Sequence, residues 1–168
     1  MIISIDPSII NLGIAKFEDG KLIDATCIHN PDGYTKNKKK IKYTEVERLD
    51  NLITSIFTFI SDYSVMDNLV IEIPNYQYND TNKKSMFLLH KTIGFIEGSF
   101  CSGEKHEVGV REWKSNKSKE ATEYEINLIY PSIKELIKNV PDGQKNNVYD
   151  AVGIGHYFIS KQKMEGKL

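Results

Sequence analysis

Met1-Ile2-Ile3-Ser4-Ile5-Asp6-Pro7, followed by Asn11-Leu12-Gly13-Ile14-Ala15-Lys16-Phe17, sets the architecture of this chain. Ile2, Ile3 and Ile5 are β-branched and nearly continuous, as expected of a strand covered on both faces. Pro7 cannot donate to a sheet ladder, so the strand ends at Asp6. A carboxylate at the tip of a buried strand is costly unless it is paired, hydrogen-bonded or bound to a metal. Asn11 to Phe17 reads as a second strand and Glu18-Asp19-Gly20 as a turn. Lys21 to Ile28 makes a third strand, so the chain opens as an antiparallel meander.

Working outward, His29 to Tyr43 is polar and reads as an exposed loop. The lysines between Lys36 and Lys42 make it either a solvated charge run or an arm that contacts phosphates. Thr44 to Asp62 is predicted as a helix, with a Thr44/Glu47 capping box and Leu49, Ile53, Ile56, Phe57 and Ile60 at helical spacing. Leu69-Val70-Ile71-Glu72-Ile73 is an apolar strand broken only by Glu72 and ended by Pro74. A loop over Asn75 to Asn82 carries Tyr76 and Tyr78. A second helix follows from Lys83 to Phe100, with Met86, Leu89, Ile93 and Ile96 on one side and Gly94 and Gly98 four residues apart. Lys105 to Val110 is predicted as a fifth strand. Helical pattern then covers Lys119 to Tyr130 and Ser132 to Asn139, Pro141-Asp142-Gly143 reads as a turn, and a last helix spans Asn146 to Lys163.

Meander, then alternating helix and strand, then helices: this order predicts an α/β fold, a mixed five-stranded sheet flanked by helices. With 168 residues, 40% hydrophobic and 27% charged, the chain is expected to form one domain, 1–168, with a full core. No apolar run approaches the roughly 20 residues of a membrane span. The start lacks the basic and small-residue features of a secretory signal, and Cys27 and Cys101 are too few for a disulfide framework. A reducing cytoplasmic setting is expected. The net charge of −1 argues against a passive nucleic-acid coat but not against a DNA enzyme, since local patches carry the binding.

Chemistry in such sheets collects at the carboxyl ends of strands, where Asp6 and Glu72 both fall. Neighbouring strands lie about 4.8 Å apart, so if the first and fourth strands are neighbours the two acids can share an ion. Asp150 precedes Ala151-Val152-Gly153-Ile154-Gly155, a small and apolar run suited to packing a helix on the sheet. Asn147 falls on the same helix face as Asp150. Each acid has a plainer explanation: Asp6 as a turn residue, Asp150 as a helix-dipole partner. Glu72 is harder to dismiss within so apolar a strand. Three converging acids could not all stay ionised without a cation. Oxygen ligands suit Mg²⁺, with Mn²⁺ as substitute. Two such ions about 3.5–4 Å apart would activate a water and stabilise the leaving oxygen of a phosphodiester.

Ile5-Asp6-Pro7, Ile71-Glu72 and Asp150-Ala151-Val152-Gly153-Ile154-Gly155 resemble the three signature segments of the RuvC-type Holliday junction resolvases, within the RNase H-like nuclease superfamily. The resemblance covers nearly the whole chain in order and is similar to that of divergent phage and viral members, which implies a host-cytoplasmic setting. It implies an RNase H-like fold and a Mg²⁺-dependent homodimer that nicks opposed strands of a four-way DNA junction. Asp6 would bridge two metals, with Glu72 and Asp150 each holding one. Tyr76 or Tyr78 would stand where the family places an aromatic wedge. Lys114 and Lys119 resemble the family's lysines near the scissile phosphate, and Lys83, Lys84 and Lys117 are expected to join them in DNA binding. Their plain alternative is solvated lysines at helix starts. The helix bearing Met86 and Ile93 is the expected dimer surface.

The chain departs from the family pattern at two places. Ser8 follows Asp6-Pro7 where the family usually has Gly. The fourth metal ligand is normally Asp or His, and here Asn147 or Asn146 holds that place. An amide oxygen can ligate Mg²⁺ but adds no negative charge, so Asn147 is expected to weaken the second metal site. Two further functions compete with a nuclease. One is a catalytically weakened protein that binds junctions without cutting them. The other is an actin-like ATPase, which lacks support because the Gly-rich phosphate loops are missing.

Overall fold

The computed structural model describes residues 1–36, 39–60, 66–74, 83–100 and 103–167. The opening meander forms as β1 (Ile2–Asp6), β2 (Asn11–Glu18) and β3 (Lys21–His29). Then come β4 (Gly33–Lys36), β5 (Lys39–Lys42), α1 (Glu45–Ile60), β6 (Asn68–Ile73), α2 (Lys83–Ser99) and β7 (Glu104–Gly109). Four helices close the chain: α3 (Val110–Trp113), α4 (Lys119–Ile129), α5 (Ile133–Leu136) and α6 (Asp142–Met164). The main sheet has the order β3-β2-β1-β6-β7. Its first three strands are antiparallel, whereas β1, β6 and β7 run parallel. This is the mixed five-stranded sheet flanked by helices that the element order predicts.

Side chains alternate across a strand, so each strand feeds two cores. Ile3, Ile5, Leu69 and Ile71 pack with Leu52, Ile56 and Ile60 of α1 and Ile93 and Ile96 of α2. Ile2, Ala15, Phe17 and Val70 pack on the other side with Val148, Ala151, Val152 and Ile154 of α6. Asp6 shares the parity of Ile2, and Glu72 that of Val70. Both acids therefore face α6. No described helix is long and apolar enough to cross a membrane.

Three expectations are corrected. The segment read as an exposed loop, His29 to Tyr43, contains the end of β3 and a separate hairpin, β4 with β5. Its approach is close: a Cβ on Gly33 would lie 2.0 Å from the Ile41 carbonyl oxygen. A lysine-rich hairpin has no apolar alternation to reveal it, which is why its pattern reads as loop. The last helix starts at Asp142 rather than Asn146, so Pro141-Asp142-Gly143 opens a helix instead of making a separate turn. Pro141 holds the position before the first turn, where its missing N–H costs nothing, and Lys145 pairs with Asp142 at 2.7 Å. Finally, β7 gives way at Val110 to the short helix α3, which sequence reading missed.

Candidate active site

Two close approaches position Asp150. A Cβ on Gly13 would sit 1.9 Å from the Asn147 carbonyl oxygen, and one on Gly155 would sit 2.3 Å from the Phe17 ring. Glycine at these positions lets α6 lie directly on β1 and β2. The fully buried Ser4 hydroxyl then donates to the Ala151 carbonyl at 2.7 Å, which fixes the helix along its axis. Asp150 is consequently held above the carboxyl end of β1. On the sheet itself Ile5 pairs with Ile71, so Asp6 and Glu72 follow side by side.

The three acids sense one another. Asp6 has its carboxyl pKa raised well above the ordinary aspartate value, chiefly by burial and then by repulsion from Glu72 and Asp150. Lys114 and Lys119 oppose that rise. Glu72 is also raised, by burial first and then by Asp150, while a hydrogen bond from Trp113 and the charge of Lys114 act the other way.

Protein donors answer this concentration of negative charge from the α3 segment. Trp113 Nε1–H donates to Glu72 Oε2 at 2.6 Å. Lys114 Nζ donates to both Asp150 oxygens, at 2.6 and 2.8 Å. The Lys114 and Asp150 side chains are only 14% and 19% exposed, so solvent screens this pair poorly. Trp113 reaches Glu72 by lying on α6 at Gly153, where a Cβ would meet the indole at 2.4 Å. Neither contact was read from the sequence, although the chain's single tryptophan beside a candidate lysine was the available signal.

Among the described residues, no three Asp, Glu, His or Cys side chains form a ready-made metal site. The donor chemistry nevertheless fits a hard divalent cation: half-buried carboxylates that destabilise one another in their charged forms and now engage an ammonium and an indole N–H. The Asn147 amide is oriented by its Nδ2, which donates to the Asn11 carbonyl at 2.8 Å. Cys27, in register with Gly13 and through it with Asp6, completes the row across the sheet. Burial pushes its thiol pKa up, against a hydrogen bond from Asn147.

Of the remaining candidates, Lys119 is exposed yet close enough to favour ionised Asp6. Lys117 pairs with Glu125. Lys83 and Lys84 lie exposed at the start of α2, on the opposite layer from α6. Tyr76 and Tyr78 lie outside the described residues.

Replacing Trp113 by Phe keeps the ring over Gly153 and removes only the N–H. Loss of a hydrogen bond to a charged group is expected to cost about 1.5–3 kcal/mol in urea unfolding. Carboxyl NMR should show Glu72 titrating still higher, since the bond that lowered its pKa is gone. An unchanged Glu72 titration would mean that the indole does not hold this carboxylate.

No protein-family model and no curated protein sequence matches the chain. Solved structures do. Thermus thermophilus RuvC in complex with a Holliday junction substrate superposes with a TM-score of 0.59 at 11% identity, covering 98% of this chain and 95% of that one. The yeast mitochondrial Holliday junction resolvase Ydc2 gives 0.60 at 13% identity, covering 99% and 81%. A further T. thermophilus RuvC structure gives 0.55 at 14% identity, covering 98% and 96%. The chain therefore has the RNase H-like fold of these Holliday junction resolvases. The likeness read from Asp6, Glu72 and Asp150 is met, at the level of fold, along almost the entire chain.

Proposed function

We propose that this protein is a divalent-metal-dependent endonuclease that nicks four-way and related branched DNA. The observation that carries it is Asp6: a carboxylate at a strand end, its pKa raised by burial and then by two further acids that a helix and a parallel strand bring to the same edge. Asp6, Glu72 and Asp150 would hold Mg²⁺ or Mn²⁺, with Asn147 at most a weak fourth donor. When bound, the ions would supply an activated water and charge for the leaving oxygen. Lys114 and Lys119 would meet the scissile phosphate, and Lys117, Lys83, Lys84, Tyr76 and Tyr78 would contact the DNA further out. A homodimer suits a two-fold junction, and a Cβ added at Gly94 or Gly98 of α2 would meet nothing within 4 Å, so that face is open to a symmetry mate.

A labelled four-way junction incubated with and without Mg²⁺ tests this. Metal-dependent, symmetrically placed nicks are expected, with affinity that falls steeply with salt. Binding without nicks under either Mg²⁺ or Mn²⁺ would favour the second function, a junction-binding protein that does not cut. Asn147 motivates that alternative, since an amide in that place adds no negative charge.

Asn147→Asp separates the two effects. An Asp there cannot donate to the Asn11 carbonyl, so the metal-free protein should lose about 1–3 kcal/mol of stability. Mn²⁺ should bind more tightly by calorimetry and restore that loss. Unchanged Mn²⁺ affinity would remove Asn147 from the metal site.

A further inference from the structure

Beside the carboxylates lies a cleft of about 210 Å³ between α4 and α6. Trp113 and Tyr157 line it, together with Gly153 of α6. His156 and Ser160 supply polar groups. One His156 nitrogen, Nδ1, is taken by the Tyr130 hydroxyl at 3.0 Å. The other lies 3.5 Å from Ser160 Oγ, long for a full bond, so both atoms keep hydrogen-bonding capacity. Burial, the main influence on His156, lowers its pKa and favours an uncharged ring. Lys117, also at the cleft, pairs with Glu125, which lines it too.

These features select the ligand by chemistry. A free phosphate gains little here, because the cleft sets the Glu125 carboxylate beside Lys117 and its remaining polar groups are uncharged. A drug-sized molecule is too large, since such sites run about 300–1,000 Å³. A flat, neutral heterocycle with hydrogen-bonding edges suits a lining that combines two aromatic side chains with His156 and Ser160, as in pockets that take a base out of the stack. The indole that lines this cleft also grips Glu72. The cleft is thus adjacent to the site where the phosphate would sit.

We infer that this cleft receives one unstacked nucleobase from the strand held at Asp6, Glu72 and Asp150. The inference rests on the nuclease function proposed above and adds a base-reading subsite to it.

Trp113 is the chain's single tryptophan, so its emission reports the cleft directly. The experiment mixes the full chain with a four-way junction without divalent metal, following Trp113 emission and, separately, binding by the anisotropy of a labelled arm. Junctions carrying one abasic site, placed at each nucleotide around the branch point in turn, are compared. Quenching by the intact junction is expected, and it should be largely lost when one particular nucleotide is abasic. Ser160→Phe, which fills the cleft from the side away from the acids, should abolish the quenching while leaving the anisotropy titration unchanged. Tyr157→Ala, which removes a wall without adding bulk, should weaken it if the phenylalanine variant does not fold. Binding with quenching that no abasic position and neither variant alters would overturn the base subsite and leave the nuclease proposal standing. A junction that does not bind at all would overturn both.

Discussion

Asp6→Asn is expected to abolish junction cleavage while making the metal-free protein more stable. Even outer partners of metal ligands contribute about 10–100-fold to affinity or activity, so a carboxylate that would itself hold the metal should cost more than about 100-fold. The stability gain follows from the raised pKa. In the folded chain Asp6 holds its proton to a higher pH than in the unfolded chain, because burial, Glu72 and Asp150 all oppose its charge. Between the two pKa values the native state binds more protons, so stability falls as pH rises through that window. Below the unfolded value the penalty is absent; above the folded value it is complete. The substituted amide carries no charge, so the variant should be more stable at neutral pH, by about 0.5–2 kcal/mol, the size of gain common for single stabilising substitutions. The difference from the parent should vanish near pH 3. A variant that still cuts, or that is less stable at pH 7, would remove Asp6 from the centre of the site.

Gly13→Ala should cause the largest loss of stability among single-methyl changes near the site. The new Cβ would meet the Asn147 carbonyl oxygen at 1.9 Å and its carbon at 2.5 Å. Both are backbone atoms in the interior of α6, so neither can swing aside as a side chain tip could. Relief requires α6 to lift from β2, and overpacking of this kind costs about 3 kcal/mol. At about 2–4 °C per kcal/mol for a chain of this size, the melting temperature should fall by about 6–12 °C. Lifting α6 also carries Asp150 away from Asp6. Cleavage should therefore drop even at temperatures where the variant is folded, and Asp6 should titrate closer to an ordinary aspartate. A stable, fully active Gly13→Ala would show that α6 does not need this contact to aim Asp150.

The acids were legible in the sequence because each breaks a local pattern. Asp6 ends an isoleucine strand, Glu72 interrupts Leu-Val-Ile-x-Ile, and Asp150 precedes the small-residue face that lets α6 touch the sheet. Parity along β1 and β6 then put Asp6 and Glu72 on the same side. The groups that hold the acids were not legible. Trp113 meets Glu72 and Lys114 meets Asp150 across 41 and 36 residues of chain, distances at which periodicity carries no information. Asn147 illustrates the same limit. Its spacing from Asp150 shows a shared helix face, but only packing shows that its amide is turned to the Asn11 carbonyl. The β4–β5 hairpin escaped because its lysines mask any strand alternation.

Anomalous diffraction from crystals grown with Mn²⁺ examines the carboxylate edge itself. Manganese peaks bounded by Asp6, Glu72 and Asp150, with Lys114 Nζ displaced from the Asp150 oxygens, are predicted. Cleavage-competent crystals with manganese bound only elsewhere, and with the Lys114–Asp150 pair intact, would contradict the assignment.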